Sequence, residues 1–332
     1  MPTEVLLTSF PLEGHRLSLE RIERSREVID PVFLNSPQFN CEPLSAALGC
    51  DLTLKLEFLN PIRSFKGRGA SFLMAEALRR QERRPLVCAS AGNWGQALAY
   101  VCRTYALPLT IYASVKANAL KVERMRALGA HVVLEGHDFD AAKEAARGCA
   151  QAWGGWLLED GLEPEISEGH GTIALELLAH GERYDAVVIP LGNGALLTGM
   201  ARWFRAHAPQ TRVIGVCSVG ASAMEQSWRS GTLVQTARAD TIADGLAVRV
   251  PIPEAVHDMN GLVDDVLLVN DDDVRAAMRQ LHREAGLLLE PAGASGVAAI
   301  AAQALQFAGR RVATVLCGSN VTPAQARTYL YD

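Results

Sequence analysis

Lys66 is a residue whose side chain could do covalent chemistry. It lies between Phe65 and Gly67, directly before a helix-like pattern over 70–79. Of the 32 basic residues, 27 are arginine and only five are lysine, so this chain uses arginine wherever a positive charge suffices. A guanidinium stays protonated and cannot form an imine, whereas a lysine amine can. We interpret the other four lysines, at positions 55, 116, 121 and 143, as replaceable charges and Lys66 as the candidate nucleophile.

A small loop after the apolar run over 85–89 could bind an anion. Its residues are Ser90, Ala91, Gly92, Asn93, Trp94 and Gly95. The loop leads into a helical pattern, and the first N–H groups of a helix have no intrahelical acceptor. They would suit a carboxylate. A tight turn without a ligand is the alternative.

A second glycine-containing loop follows the predicted strand over 186–189. Its residues are Gly192, Asn193, Gly194, Ala195 and Leu196. The spacing does not match the dinucleotide-binding pattern G-x-G-x-x-G, and no acidic residue follows at the expected spacing, so a nucleotide-dependent oxidoreductase is not indicated. No Walker lysine follows either. Backbone N–H groups in such a turn favour a phosphate site, and a plain strand-to-helix turn is the alternative.

Glu290 and Cys317 carry the remaining candidate groups, late in the chain. Glu290 stands before a proline, and Cys317 follows an apolar run over 311–316. The spacing over 293–296 is not that of the G-x-S-x-G nucleophile elbow. A thiol after an apolar strand is more often buried packing than a reactive group. Neither segment is diagnostic alone.

Composition excludes several classes of function. The net charge is −5 and no basic block is present, so nucleic acid is not an expected partner. No apolar run approaches the roughly 20 residues of a membrane span, and the first ten residues are not typical of a secretory signal. The seven cysteines include no C-x-x-C pair, which favours a reduced, cytoplasmic protein. The eight histidines are scattered, so no metal site is predicted.

These motifs need elements to position them, and the pattern predicts alternating strands and helices. Strands are predicted over 52–58, 85–89, 107–112, 131–134, 156–158, 186–189, 212–217 and 311–316, with helices between most of them. Such alternation indicates two open, mainly parallel α/β sheets. We predict a large domain from residues 1–80 and 161–332, and a small domain from residues 81–160. Sites in such sheets lie at the carboxyl ends of strands, where all these loops fall.

Taken together, the segments resemble the pyridoxal-phosphate enzymes of the tryptophan synthase β-like fold, known as fold type II. They look most like the serine/threonine dehydratase branch, from about residue 31 to 320. The similarity is carried by the blocks over 64–70, 90–97, 169–176, 192–196 and 241–247, and by Cys317, in the order of that family. The resemblance implies a cofactor in the cleft between the two domains, and a homodimer.

The resemblance also implies residue roles. Lys66 would hold the cofactor as a Schiff base and move the Cα proton. Asn93 would contact the phenolic oxygen and Cys317 the pyridine nitrogen. The other implied cofactor-binding residues are Phe65, Gly192, Asn193, Gly194, Ala195, Leu196, Gly245 and Glu290. The implied binders of the substrate are Ser90, Ala91, Gly92 and Trp94.

Departures from the branch refine the expectation. Arg63 stands where the branch usually has glycine, and its guanidinium suits a second carboxylate on the substrate, as in 3-hydroxyaspartate. A surface arginine that points outward is the alternative. Ala91 replaces a serine and argues against racemisation. Cys217 replaces the glutamate with which the family's cation site begins, so a divalent metal is not expected.

The implied function is β-elimination from a small β-hydroxy amino acid such as threonine, serine or a 3-hydroxyaspartate-like compound, giving a 2-keto acid and ammonia. A β-replacement synthase of the cysteine synthase type is the alternative, although its Thr-Ser-Gly-Asn-Thr pattern is absent at 90–94. A cofactor-binding protein without catalysis is a further alternative, against which Lys66 and Asn93 count. Specificity is expected to lie in loops such as 158–168.

Overall fold

The computed structural model describes residues 14–117, 119–179 and 181–331, without the side chain of residue 140. The first thirteen residues of the predicted large domain lie outside the described residues. So does the N-terminal pattern that is not typical of a secretory signal.

The described residues form strands and helices in alternation. The strands are β1 (Gln38–Asn40), β2 (Asp51–Leu56), β3 (Leu86–Ala89), β4 (Leu109–Ala113), β5 (His131–Leu134), β6 (Trp156–Leu157), β7 (Ala186–Pro190), β8 (Arg212–Ser218), β9 (Asp265–Val269) and β10 (Arg311–Leu316). The α-helices are α1 (Leu19–Val28), α2 (Glu42–Leu48), α3 (Lys66–Arg79), α4 (Asn93–Thr104), α5 (Ala119–Ala127), α6 (Phe139–Trp153), α7 (Pro164–Leu178), α8 (Ala195–His207), α9 (Ala223–Ser230), α10 (Pro253–Asp258), α11 (Asp271–Ala285), α12 (Pro291–Ala302), α13 (Ala304–Phe307) and α14 (Pro323–Tyr331). Short 3-10 helices span Pro31–Phe33 and Asp244–Leu246.

The larger sheet has the strand order β1-β2-β10-β7-β8-β9. β1 is antiparallel to β2, and the other neighbours are parallel. Helices cover both faces: Val188 packs in one cluster with α11 and α12, whereas Val187 and Ile189 pack in another with α7 and α8. Parallel strands covered on both faces read as continuous apolar runs, which explains the sequence of β7.

The smaller sheet has the order β5-β4-β3-β6, and all of its pairs are parallel. Val87 packs against α6 on one face, and Leu86 and Cys88 pack on the other. Two residues of α3, Phe72 and Leu73, belong to this second cluster. The strands of each sheet thus come from the two predicted segments, while the division of the chain at residues 80 and 160 stays a prediction.

Two lysines that the sequence suggests are replaceable charges are buried instead. Lys55 is 1% exposed, and its Nζ donates to Glu176 at 2.7 Å. Lys121 is 7% exposed and pairs with Asp244. The interpretation was wrong for both, because alternation in a strand or helix does not show which face its neighbours cover.

The four motif loops all lie at carboxyl ends of strands. An isolated bridge between Ser64 and Gly318 joins the loop after β2 to the segment after β10. The loops at 90–94 and 191–194 follow β3 and β7. No helix among the described residues has the length and apolarity that crossing a membrane requires.

Candidate active site

Lys66 is the first residue of α3, so this helix begins four residues before the predicted pattern. The N–H of Phe65 donates to the carbonyl of Cys317 at 3.1 Å, and the N–H of Lys66 donates to Oγ of Ser64 at 3.3 Å. Nζ of Lys66 lies 4.5 Å from the centroid of the Phe65 ring. The start of α3 is therefore anchored on the strand end that carries Cys317.

A buried charge network holds α3 in place. Arg68 is fully buried, and its guanidinium donates to Glu57 at 2.8 Å and to Glu176 at 2.6 Å. Burial raises the pKa of Glu176, but the bonds and charges of Arg68 and Lys55 outweigh it and lower the pKa to about 2. The network joins β2, α3 and α7, which fixes the helix on which Lys66 stands.

Asp160 is the carboxylate next to Lys66. Nζ of Lys66 donates to its Oδ2 at 2.5 Å, and the two side chains are 15% and 10% exposed. Asp160 belongs to the loop over 158–168, which is expected to carry specificity, but it is not among the residues predicted from the sequence. Asp160 lies two residues after the predicted strand over 156–158, and this position was the available signal.

The loop after β3 is preorganised by Ser90. Its Oγ accepts from the N–H groups of Gly92 and Gly95, at 3.2 and 3.0 Å. Gly92 is the N-cap of α4 and has no side chain. The first N–H groups of a helix have no intrahelical acceptor, and in α4 the N–H of Gly95 is already bonded to Ser90. Ala91 is half-buried beside them. The N–H groups of Asn93 and Trp94, the first two residues of α4, are donors that a carboxylate could use.

The side chain of Trp94 points into the core of the smaller sheet and away from the loop after β3. Its side chain is 6% exposed within the core of the smaller sheet, and the indole N–H donates to the carbonyl of Leu158 at 3.1 Å. The side chain thus supports the loop that carries Asp160.

Asn93 joins the smaller sheet to the larger one through hydrogen bonds. Its Nδ2 donates to Oε1 of Glu290 at 2.7 Å, and its Oδ1 accepts from Nδ2 of Asn320 at 2.8 Å. The N–H of Asn320 also donates to Glu290 at 3.0 Å. Asn320, which follows Cys317 by three residues, is not among the residues predicted from the sequence.

Burial changes the acid–base character of Glu290 and Cys317. Burial and the charge of Asp244 raise the pKa of Glu290 to about 7. Burial, with the charge of Glu290, raises the pKa of the Cys317 thiol far above its ordinary value. Cys317 is therefore an uncharged thiol near neutral pH.

The loop from Gly192 to Leu196 has the form of a backbone cradle. A Cβ on Gly192 would lie 2.2 Å from the carbonyl oxygen of Gly245, so a larger residue requires the backbone to move. Gly194 has a φ of +99° and is the N-cap of α8, with no side-chain cap. The carbonyl of Asn193 faces Gly161, where a Cβ would approach it to 2.7 Å. The N–H groups at the start of this 13-residue helix can hold a phosphate.

The remaining members of the cradle act through their backbone. Leu196 is 5% exposed and Ala195 is 2% exposed, and both side chains pack in hydrophobic clusters. Gly245 lies in the short 3-10 helix, where a Cβ would meet Ala292 at 2.9 Å. These positions suit residues with little or no side chain directed at a ligand.

His170, which belongs to the block over 169–176, lies beside the candidate nucleophile. It is fully buried in α7, with its ring centroid 4.6 Å from that of Phe65. Burial and the charge of Lys66 lower its pKa well below the ordinary value. The imidazole is thus neutral and supports Phe65 without adding charge.

Arg63 lies at the edge of this group of residues. It is exposed and has a φ of +53°, in the left-handed region that residues other than glycine rarely adopt. Its carbonyl accepts from the N–H of Ser319 at 3.0 Å, which holds the loop in this conformation. Backbone strain of this kind is common at functional sites.

These residues fit a phosphorylated aldehyde cofactor. Lys66 supplies an amine for the aldehyde, the cradle at 192–196 supplies N–H groups for the phosphate, and Asn93 and Cys317 supply an amide and a thiol. Among the described residues no group of three or more His, Cys, Asp or Glu side chains could hold a metal ion.

Comparison with known proteins agrees with this chemistry. Residues 29–318 match the family described as pyridoxal-phosphate dependent enzyme. The chain belongs to this family. It is 32% identical over 305 residues to the L-threonine ammonia-lyase of Thermotoga maritima, covering 92% of this chain and 76% of that protein. It is 33% identical over 292 residues to the threonine dehydratase of Nicotiana attenuata, covering 87% of this chain but 49% of that protein.

A solved structure is similar over the whole chain. The processed form of threonine deaminase isoform 2 from Solanum lycopersicum superposes with a TM-score of 0.88 at 28% identity, covering 99% of this chain and 93% of that one. The predicted fold class, cofactor and enzyme class are thereby confirmed: the chain is a pyridoxal-phosphate-dependent lyase with two mainly parallel α/β sheets. The individual site residues stay predictions.

Proposed function

We propose that this lyase eliminates water from a small β-hydroxy amino acid, such as threonine or serine, and releases a 2-keto acid and ammonia. The observation that carries the proposal is the buried thiol of Cys317 beside the site of Lys66. Because its pKa is raised, this thiol provides no negative charge to keep a pyridine nitrogen protonated. A weaker electron sink suits loss of a β-leaving group over transamination.

Different residues of the chain move the proton, bind the substrate and hold the cofactor. When bound, the cofactor withdraws electrons from Cα of the substrate and makes its proton acidic. Lys66 takes that proton at Nζ. The N–H groups of loop 90–95 bind the α-carboxylate, and Asn93 and the cradle at 192–196 hold the cofactor in place.

A substrate with a second carboxylate is a further part of the proposal. Arg63 is exposed at the edge of the site. Burial lowers the pKa of Arg124 on α5, and the charge of Arg63 lowers it further. Two guanidiniums that repel each other favour an anion between them. A 3-hydroxyaspartate-like compound would supply one.

The proposal also includes the setting in which the enzyme works. All seven cysteines are free thiols, which supports a reducing compartment such as the cytoplasm. A homodimer is proposed from the family resemblance.

The test is a panel of β-substituted amino acids, assayed for keto acid and ammonia. The wild type and Lys66→Ala are compared, with exposed Lys116→Ala as the matched control. We expect the wild type and the control to release both products, and Lys66→Ala to lose at least about 100-fold in kcat. Formation of a thioether on addition of a thiol would favour β-replacement instead. A wild-type protein that retains no cofactor or releases no keto acid would contradict the proposal.

A further inference from the structure

We propose that Asp160 is a catalytic residue that passes a proton from Lys66 to the departing β-hydroxyl group. The inference rests on the proposed β-elimination and deepens it. Nζ of Lys66 donates to Oδ2 of Asp160 at 2.5 Å. The other oxygen, Oδ1, is buried and has no hydrogen-bond partner among the residues described. A buried carboxylate oxygen without a partner is costly, so this atom is available to a substrate.

The loop around Asp160 is fixed from three sides. The indole of Trp94 holds the carbonyl of Leu158 at 3.1 Å. The guanidinium of Arg16 donates to the carbonyl of Leu162 at 2.6 Å and also pairs with Asp258. Gly161 faces the carbonyl of Asn193 so closely that a Cβ would lie 2.7 Å from it. Asp160 is therefore held between the candidate nucleophile and the cradle.

The other titratable groups near Lys66 do not place a negative charge against its Nζ. His170, from α7, has a lowered pKa and is neutral. Cys317, after β10, has a raised pKa and is also neutral. Glu290 and Asp244 act on Cys317, and Glu290 is hydrogen-bonded to Asn93 and Asn320. Among the described residues, Asp160 is the acidic side chain hydrogen-bonded to Nζ.

The proposed step is balanced without an external acid. Nζ of Lys66 takes the proton from Cα, and the electron pair of that bond forms the Cα–Cβ double bond. The proton passes from Nζ to Oδ2 of Asp160, a half-turn of the carboxyl group about its Cβ–Cγ bond brings Oδ2 to the side that Oδ1 occupied, and Oδ2 gives that proton to the β-oxygen. The Cβ–O bond breaks with its electron pair on oxygen, so water leaves. Hydroxide is a poor leaving group, which is why it needs this proton. Since Lys66 and Asp160 are in contact, the Cα proton and the β-hydroxyl group leave from the same face of the substrate.

The experiment compares two leaving groups in the holoenzyme. Asp160→Asn keeps the shape of the side chain and removes its acid. We expect kcat/KM for L-serine and L-threonine to fall about 100-fold or more, while β-chloro-L-alanine changes less than about tenfold, because chloride leaves without a proton. Asp160→Glu keeps the carboxyl group and is expected to restore part of the lost activity.

A spectroscopic readout reports on the contact without turnover. The absorbance of the bound cofactor is followed against pH, because a carboxylate beside Nζ favours the protonated form of its linkage to the cofactor. We expect Asp160→Asn to lower the midpoint of that titration by about one unit or more. Glu159→Gln is the matched control, because its carboxylate pairs with Lys143 at 2.5 Å. It should leave both the midpoint and kcat/KM close to wild type.

The outcomes separate this inference from the proposed function. Equal losses for hydroxyl and chloride substrates, or an unchanged midpoint in Asp160→Asn, overturn the relay while the β-elimination stands. A wild type that releases no keto acid from any β-hydroxy amino acid overturns both.

Discussion

Nη1 of Arg124 lies 3.0 Å from Oδ1 of Asn320, the residue whose Nδ2 reaches Oδ1 of Asn93. The side-chain amide of Asn320 thus links the guanidinium of Arg124, on α5, to Asn93, a predicted cofactor-binding residue. Asn320 also donates to the carbonyl of Ile62, so the same side chain holds the loop that bears Arg63. The two arginines therefore border the candidate site from opposite sheets.

Replacement of Arg63 tests the second carboxylate. For Arg63→Ala we expect kcat/KM for 3-hydroxyaspartate to fall roughly 10- to 100-fold, as for a lost charged hydrogen bond. Activity towards serine should change little, because serine has no second carboxylate. Arg126→Ala, exposed on α5, is the control. Equal losses of kcat/KM for 3-hydroxyaspartate and serine would contradict the role of Arg63 in binding a second carboxylate.

Replacement of Arg68 tests the buried network. Arg68→Met leaves Glu57 and Glu176 without their shared cation, so we expect the free energy of unfolding to fall by about 3–5 kcal/mol. The matched control is Arg79→Met on the same helix, whose side chain is 63% exposed and pairs with Glu76. It should leave the unfolding midpoint in urea near that of the wild type. Similar midpoints for the two variants would show that the network adds no stability.

The lowered pKa of Glu176 predicts an acid dependence. Its carboxylate titrates at about 2 in the folded chain against an ordinary value of 4.5, so it stabilises the fold above pH 4.5. That contribution, at most about 3 kcal/mol, is lost as the pH falls from 4.5 through 2. The difference in unfolding free energy between wild type and Glu176→Gln should therefore shrink over this window. Exposed Glu254→Gln is the control, and a difference that stays constant with pH would contradict the assignment.

The close approach of Gly192 to Gly245 predicts a loss of cofactor. In Gly192→Ala the new Cβ would lie 2.2 Å from a backbone oxygen, so the cradle must move. We expect the affinity for pyridoxal phosphate to fall at least about tenfold, measured by absorbance titration. Gly148→Ala, where a Cβ meets nothing within 4 Å, should bind normally and gain about 0.5–1 kcal/mol in helix stability. Normal binding by Gly192→Ala would show that the cradle tolerates a side chain.

Strand and helix pattern predicted most of the sheet architecture. The eight predicted strands correspond to strands of the structure, because buried parallel strands leave continuous apolar runs between glycine-bearing turns. The edge strands β1 and β9 were missed. β1 is only three residues long and partly exposed, so it has too little apolar sequence to stand out.

The candidate site could be predicted only where function constrains the local sequence. Glycines at 192, 194 and 245 leave a signal because backbone approach or a positive φ excludes side chains. No such local constraint marks the positions of Asp160, His170 and Asn320 in the sequence. Their significance depends on which loop faces which, and that is a property of packing between distant segments.

The pairing of β2 with β10 has a consequence for the order of assembly during synthesis. Thr314 lies opposite Leu54, a residue made 260 positions earlier. The backbone bond that anchors Phe65 on Cys317 therefore cannot form until residue 317 has left the ribosome. Contacts of such long range form late and slowly. A nascent chain consequently carries Lys66 without the partner strand that completes its pocket until β10 has been made.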